Sequence, residues 1–371
     1  MAKTIVGLND AKAAKRYSAF LATDTARKSY FNKKFMGEGV ESEMPIQILR
    51  HLENDGGEEI KYDLVMQQKM EPVEGDDTLE GKEEDLKFFT DSVYIDQARG
   101  GINTGGRMTR KRTIHDLRKI ARVKQSEWWS RVFDELFFMY LSGARGVNSD
   151  FIFGTGYTGR ANNAFVAPDA AHIVYGDGNS KATLTAGGKM TTTMIEKAAT
   201  KAATLGGGTS GIPAIEPIMI EGEMHYVLVM HEFSAYDLRT NTSTGQWLDI
   251  QKAAAGAEGN KSAIFKGALG KLNDVVLHKH KAVIRFSDYG AGANIAAARA
   301  LFLGRQAGVV AFGSSGNGLR FDWHEESRDN GNQAVITTST IAGIKKTAFT
   351  IDGTSRDFGV LSIDVAAADP T

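Results

Sequence analysis

The chain has 371 residues, 42% hydrophobic and 24% charged, which is typical of a globular protein of about two domains and excludes a disordered or collagen-like chain. Its 44 basic and 45 acidic residues give a net charge of −1, so the chain as a whole produces no field that would steer it onto nucleic acid. The absence of cysteine excludes disulfides, thiolate zinc sites and cysteine nucleophiles. Neither a secretory signal nor a membrane-length apolar run is present, so we expect an intracellular product without membrane contact.

The small net charge conceals three opposed blocks along the first 145 residues. Residues 1–35 carry eight basic and two acidic residues, a net of +6. Residues 53–91 carry four basic and 14 acidic residues, a net of −10, and residues 99–145 carry eleven basic and four acidic residues, a net of +7. Patches of both signs are therefore expected, and each could meet its complement on another molecule.

The first block predicts a helical arm. Asn9 or Asp10 can cap a first helix, and Thr23 or Asp24 can cap a second one. Apolar residues are few within the block, so we expect it to pack against another part of the structure.

The second block predicts a two-stranded ribbon with an acidic tip. Ile60, Tyr62, Leu64 and Met66 alternate with more polar residues, and a return strand is expected over 88–96. Since a lone hairpin is only marginally stable in water, the ribbon should lean on a second surface.

The third block contains the strongest helical pattern, over residues 114–142. Thr113 and Asp116 suggest a capping box, and roughly 29 residues would form a rod of about 43 Å. Trp128 falls on the apolar stripe and Trp129 beside it, so both are interpreted as packing anchors in preference to a stacking platform for bases.

The remaining chain predicts loops followed by a mixture of short helices and strands. Residues 148–186 are rich in glycine and asparagine and favour loops. Helices are expected at 189–205, 233–239 and 247–255. Short strands are expected at 217–220, 226–230, 275–278, 300–303 and 308–312, and strand-like segments over 333–361.

Motifs for catalysis and phosphate binding are incomplete. Gly154, Gly156 and Gly159 spell GxGxxG, but no helical pattern follows them. His231 and Glu232 begin an HExxH motif that Ala235 breaks. The serine and glycine residues at 313–316 lack the GxSxG spacing.

Two other kinds of site remain open: a metal site and a pair of carboxyl groups for acid–base catalysis. A metal site could be assembled from four histidines near strand ends: His225, His231, His278 and His280. Acidic pairs at the ribbon tip could serve as acid and base, but a solvated tip does not separate their pKa values, so a solvated or partner-facing patch is favoured. The sequence predicts no catalytic residue, no cofactor and no bound metal.

Dispersed stretches of the chain resemble the major capsid proteins of tailed bacteriophages, which have the Hong Kong 97-type fold, and in particular a subfamily from podoviruses and prophages. The stretches are LEGKEE at 79–84, HEFSAYDLR at 231–239, IFKGALG at 264–270, DVVLH at 274–278, RALFLG at 299–304, AFG at 311–313, GIKKT at 343–347 and DFGV at 357–360.

The resemblance implies an α+β fold with a defined order of parts. These are an N-terminal arm at 1–55, an extended β-ribbon loop at 56–112, a peripheral domain at 113–188 and 313–371 with spine helix 114–142, and an axial domain at 189–312. In that family the extended loop lies over the adjacent subunit, which agrees with a ribbon that needs support.

The resemblance also implies a structural, non-enzymatic protein. It would self-assemble as hexamers and pentamers into an icosahedral head shell around double-stranded DNA, in virions made in the bacterial cytoplasm. A portal protein and possibly scaffold or decoration proteins would be further partners. The alternatives are an encapsulin-like nanocompartment of the same fold and a metal-dependent hydrolase.

The charge blocks supply the candidate site residues. Contacts between subunits are predicted for Glu74, Asp76, Asp77, Glu80, Glu83, Glu84, Arg118 and Arg122. Contacts with DNA phosphates are predicted for Lys12, Lys15 and Arg16.

Overall fold

The computed structural model describes residues 11–39, 42–53, 56–65, 70–113, 116–206, 212–220, 222–241, 268–314 and 319–370, without the side chains of 11–13, 33, 110 and 118. Its helices are α1 (Ala11–Lys28), α2 (Tyr30–Lys34), α3 (Arg107–Arg112), α4 (Leu117–Ser142), α5 (Thr192–Thr204) and α6 (Glu232–Thr240). Its first ten strands are β1 (Met36–Glu38), β2 (Ile46–Leu49), β3 (Glu59–Val65), β4 (Phe88–Tyr94), β5 (Asp96–Asn103), β6 (Gly159–Arg160), β7 (Asn163–Ala164), β8 (Ile173–Tyr175), β9 (Ile218–Ile220) and β10 (Glu223–Met230). The next ten are β11 (Gly270–Leu272), β12 (Val275–Lys279), β13 (Arg285–Tyr289), β14 (Ile295–Leu303), β15 (Gly308–Gly313), β16 (Phe321–Arg328), β17 (Gln333–Lys346), β18 (Ala348–Ile351), β19 (Thr354–Asp357) and β20 (Val360–Ala366).

Two large sheets organise the described residues. The first has the order β1-β2-β15-β17-β16, and β5 also pairs with the long strand β17. The second has the order β11-β12-β10-β14-β20-β8, with β13 on β14 and β9 on β10. The expected bounds assign β15 to the axial domain, but β15 pairs with β2 and β17, which lie outside that range. They assign β20 to the peripheral domain, but β20 pairs with β14 of the axial range. The division into peripheral and axial domains stays a prediction.

Helix α4 is the central element, and its second half is buried on every side. All side chains from Val132 to Ser142 are buried, which an amphipathic surface helix would not show. The tryptophan assignment from sequence was wrong in its detail: Trp129 is fully buried and donates from Nε1 to Thr338 Oγ1 at 2.8 Å, whereas Trp128 is half-buried against β5. The reason is that Trp129 lies over β17 of the first sheet, which is paired on both sides, whereas Trp128 lies over β5 beside it.

The carboxyl end of α4 is held by Arg299 from the second sheet. Its guanidinium donates to the Ser142 carbonyl oxygen at 2.8 Å, which satisfies one of the helix's unpaired terminal acceptors. Two further donations, of 2.7 and 2.8 Å, go to the Asp364 carboxylate of β20. Tyr289 Oη donates to the same carboxylate at 2.6 Å, so the helix and strands β13, β14 and β20 share one buried polar network.

The arm is tied to α4 by a buried carboxylate. Asp134 accepts from Ser29 Oγ at 2.7 Å and from the backbone nitrogens of Tyr30 and Phe31, so it caps the start of α2. Leu21, Phe31 and Phe35 are fully buried in the core around α4. The arm therefore packs against the body of its own chain.

The second helix of the arm starts later than the sequence suggested. Helix α1 runs through Thr23, whose hydroxyl donates back to the Ala19 carbonyl oxygen at 3.0 Å instead of capping a new helix. The cap at Thr23 or Asp24 was therefore wrong, because the residue whose backbone leaves the helical conformation and whose side chain caps α2 is Ser29. The alternative caps Asn9 and Asp10 lie outside the described residues.

The predicted ribbon is confirmed as the antiparallel pair β3–β4. Glu59 pairs with Tyr94 at the base and Val65 with Phe88 toward the tip. The ribbon leans on its own chain, because Tyr62, Leu64 and Phe89 pack against three buried side chains of the β18–β19 hairpin: Phe349, Ile351 and Phe358. Met66 lies outside the described residues.

Most of the later elements agree with the sequence, with shifted ends. Helices α5 and α6 confirm the patterns at 189–205 and 233–239, and the spine helix begins at Leu117 instead of 114. The expected helix at 247–255 lies outside the described residues. The predicted strands are confirmed as β9, β10, β12, β14 and β15.

The contact between Trp128 and β5 requires glycine at position 100. A Cβ atom there would lie 2.4 Å from Trp128 Cζ3, whereas a Cβ at Gly101 would meet nothing closer than 3.5 Å. We expect Gly100→Ala to lower the free energy of unfolding by about 1–2 kcal/mol through overpacking. Gly101→Ala is the matched control and should be neutral to within about 0.5 kcal/mol. Equal effects of the two variants in urea unfolding would contradict the packing argument.

Asp134 gives the arm a pH dependence. Burial raises the pKa of its carboxyl to about 6, against an ordinary value of 3.8, so the folded state favours the protonated form. Stability from this group should therefore rise as the pH falls from about 7 to about 4. We expect Asp134→Asn to have a lower free energy of unfolding than the unaltered chain. The difference between the two should grow by about 1–3 kcal/mol as the pH falls over that range. An equal difference in the free energy of unfolding at both pH values would contradict the raised pKa of Asp134.

Candidate assembly surfaces

The segment between β3 and β4 forms an acidic loop, defined here as residues 70–87. Six carboxylates predicted to contact another subunit lie in it, and all are exposed except the half-buried Glu84. Glu83 accepts from the Gly81 nitrogen at 2.6 Å and Glu84 from the Met70 nitrogen at 3.0 Å, so these two shape the loop. In the part of the chain that the structure describes, no cation lies within 4 Å of three others: Glu74, Asp76 and Glu80.

Large apolar side chains are exposed beside these charges. Leu79 is 48% exposed, Leu86 60% and Phe88 60%. Exposed apolar residues next to charged ones are typical of a surface that meets another protein. From the sequence, this segment was interpreted by its charge alone, although Leu86 between Asp85 and Lys87 was a visible signal.

Cationic side chains of the arm and of α4 form a basic patch, defined as Lys15, Arg16, Lys119 and Arg122. The guanidiniums of Arg16 and Arg122 both lie over the Phe20 ring, 5.4 and 5.5 Å from its centroid. The sequence assigned Arg16 to DNA and Arg122 to a neighbouring subunit, and the structure brings the two together. The side chains of Lys12 and Arg118 lie outside the described residues.

The charges of the basic patch are not neutralised locally. Within the described ranges, no carboxylate oxygen lies within 4 Å of any of its four cations. The same ranges contain no ion pair between the patch and the acidic loop.

The histidines considered as metal ligands have structural contacts. His231 Nδ1 accepts from the Phe233 nitrogen at 3.1 Å and so caps α6, and burial, followed by Arg285, lowers its pKa to about 4. The His280 ring stacks on Phe138 at 4.9 Å, and its pKa is also lowered to about 4 by burial. Across the described residues, no three His, Asp or Glu side chains are arranged to hold a metal ion.

The other sequence motifs lie in ordinary structural elements. The glycine motif ends at Gly159, which begins the β6–β7 hairpin instead of a helix.

A cleft of about 420 Å³ lies between α4 and α6. It is lined by four acidic and four basic residues: Asp134, Glu135, Asp150, Glu232, Lys28, Arg131, Lys281 and Arg285. None of the described helices has the length and apolar character needed to cross a membrane.

Known proteins share this arrangement. A family model described as phage capsid protein matches residues 5–369. A chain from the capsid of Ralstonia phage GP4 is 49% identical, with full coverage of both chains and a TM-score of 0.85. A chain from the capsid of cyanophage Pam1 shares the fold at 18% identity, with a TM-score of 0.69 over 92% of this chain and 93% of its own.

A curated relative agrees with the solved structures. The major capsid protein of Pseudomonas phage KPP25 is 26% identical over 365 residues, which cover 92% of each chain. The expected Hong Kong 97-type fold is therefore confirmed. The chain belongs to the phage capsid protein family, as a major capsid protein that assembles with copies of itself into the shell of a tailed phage.

Proposed function

We propose that this subunit forms hexamers and pentamers of a shell that encloses double-stranded DNA, without a catalytic role. The observation that carries the proposal is a pair of exposed surfaces of opposite sign. In the described residues, Glu74, Asp76 and Glu80 of the acidic loop lie within 4 Å of no cation, and the four cations of the basic patch lie within 4 Å of no carboxylate oxygen. A portal protein, and possibly scaffold or decoration proteins, complete the particle, which is made in the host cytoplasm.

The acidic loop is suited to bind a neighbouring subunit. Its base is fixed by the β18–β19 hairpin, so the loop is presented on a supported platform. Its apolar side chains gain from burial at about 25 cal/mol per Å², and its carboxylates set the orientation by meeting cations. Arg118 and Arg122 of a neighbour's spine helix are the cations proposed to receive it.

Charge reversal on the loop tests this contact. Each exposed ion pair contributes about 0.2–1 kcal/mol, so losing three should raise the protein concentration needed for assembly by roughly three- to a hundredfold. We choose the residues that do not shape the loop, in the variant Glu74→Lys, Asp76→Lys and Glu80→Lys. The defect should be largest at low salt, because salt screens exposed charges.

A control with the same charge change separates this contact from net charge. Glu43→Lys, Glu196→Lys and Asp274→Lys alter exposed carboxylates away from the loop. The control should assemble at nearly the normal concentration in light scattering. Equal assembly of both triple variants across a salt series would contradict the docking proposal.

The arm side of the basic patch, Lys15 and Arg16, is suited to bind DNA phosphates. The Arg16 guanidinium lies over the Phe20 ring, 5.4 Å from its centroid, which restricts its motion, while Lys15 remains exposed. Fixed guanidiniums lose little side-chain entropy when they meet a phosphate. Such contacts read the backbone without sequence preference, as a shell around any packaged genome requires.

The salt dependence of DNA binding tests the patch. Lys15→Gln with Arg16→Gln should lower the slope of log affinity against log salt concentration by up to about 1.8, since each phosphate contact contributes about 0.9. Lys61→Gln with Lys87→Gln, which neutralises two exposed ribbon lysines, is the matched control and should leave the slope unchanged. Identical slopes for the two double variants would exclude the patch as the DNA surface.

Electron microscopy of purified particles separates the proposal from its alternatives. A DNA-filled shell supports it, a protein-filled shell would indicate an encapsulin-like compartment, and a persistent monomer with stoichiometric zinc would indicate a hydrolase.

A further inference from the structure

Two consecutive lysines at the end of β17 reach opposite sides of the strand, as side chains of a strand must. Lys345 reaches the ribbon, where it pairs with Asp91 and donates to the Ser92 carbonyl oxygen at 2.9 Å. Lys346 reaches the β18–β19 hairpin, where Nζ lies 2.6 Å from Asp357 Oδ1. The Lys346 side chain is 1% exposed and that of Asp357 2%, so this contact excludes water.

Charges in such a place are costly unless several hydrogen bonds satisfy them. In the described part of the chain, Asp357 Oδ2 is buried without a hydrogen-bond partner, and so is His172 Nε2 beside it in the same cluster. Burial lowers the pKa of the Lys346 amine and raises that of the Asp357 carboxyl. Both shifts favour the neutral amine and the neutral acid, which are the reactive forms for acyl transfer to nitrogen.

The surrounding groups hold the acid in place. Asp169 accepts from the backbone nitrogen of Asp357 at 3.2 Å and from His172 Nδ1 at 2.9 Å. Hydrogen bonds from His172 keep the pKa of Asp169 at about 2 despite its burial, so Asp169 stays ionised. His172 Nδ1 faces Asp169, and its Nε2 lies in the cluster without a hydrogen-bond partner in the described residues. Arg356 also faces Asp169, at 4.0 Å.

We propose that Lys346 and Asp357 condense to form an amide bond within the chain. The Lys346 nitrogen attacks the carboxyl carbon of protonated Asp357, a C–N bond forms and a C–O bond breaks. The hydroxyl of the acid leaves with one amine hydrogen as water, and the new amide keeps the other hydrogen. No oxidant or co-reactant is needed, and the buried contact supplies the proximity that makes an unfavourable condensation feasible.

The amide would close the base of the β18–β19 hairpin covalently. That hairpin carries Phe349, Ile351 and Phe358, on which the ribbon leans. An amide cannot ionise, so the bond would remove the cost of burying either group in its charged form.

The intact mass of the purified full-length chain tests the proposal directly. We expect most molecules to be lighter than the sequence mass by one water, and proteolysis to yield one branched peptide that joins Lys346 to Asp357. An intact mass equal to the sequence mass overturns the proposal without any variant. A mass deficit that maps to the Asp352–Gly353 step and is reversed by mild base would be a succinimide, and would overturn it as well.

Substitutions identify which two side chains form the amide bond. Lys346→Arg keeps the charge but removes the nucleophile, and should restore the full sequence mass. Lys345→Arg is the matched control at the adjacent position and should keep the loss of water. Asp357→Asn should lose ammonia in place of water, because the leaving group changes. An unchanged deficit in Lys346→Arg would contradict the proposed bond.

Discussion

The fold depends on the burial of the second half of α4, because both sheets are anchored through this one helix. A helix enclosed on all sides must satisfy its terminal carbonyl groups within the protein, since water cannot reach them. Arg299 does so at Ser142 and places a positive charge where the helix dipole favours one. Asp364 neutralises that charge and ties it to β20, so one buried network fixes helix and sheet together.

Some charged groups around this helix are satisfied within the chain, whereas others at its surface are not. Asp134 shows the first case, since the arm closes over it with three donors. Arg16 and Arg122 show the second, because an aromatic ring positions them while no carboxylate of the described residues meets them. A subunit built for a closed shell needs both properties: a body that folds alone and faces that are completed by other molecules.

Local patterns gave the ribbon, the long helix and most short elements correctly, because strand alternation and helical spacing are visible in consecutive residues. They could not decide between Trp128 and Trp129, since the choice depends on which of the two lies over β17 and which over β5. They also missed Ser29 as the cap of α2, where the deciding partner, Asp134, is 105 residues away. The acidic loop could be found from charge, whereas the proximity of Arg16 and Arg122 around Phe20 required the tertiary structure.

The support of the ribbon by the β18–β19 hairpin has a mechanical consequence. A force on the acidic loop passes along β3 and β4 to Tyr62 and Phe89, then through their contact with Phe349 into the hairpin. Lys345 gives a second route, from Asp91 into the end of β17. Because β17 has 14 residues and pairs with β5, β15 and β16, a force that reaches it from the acidic loop is shared as shear among many backbone hydrogen bonds.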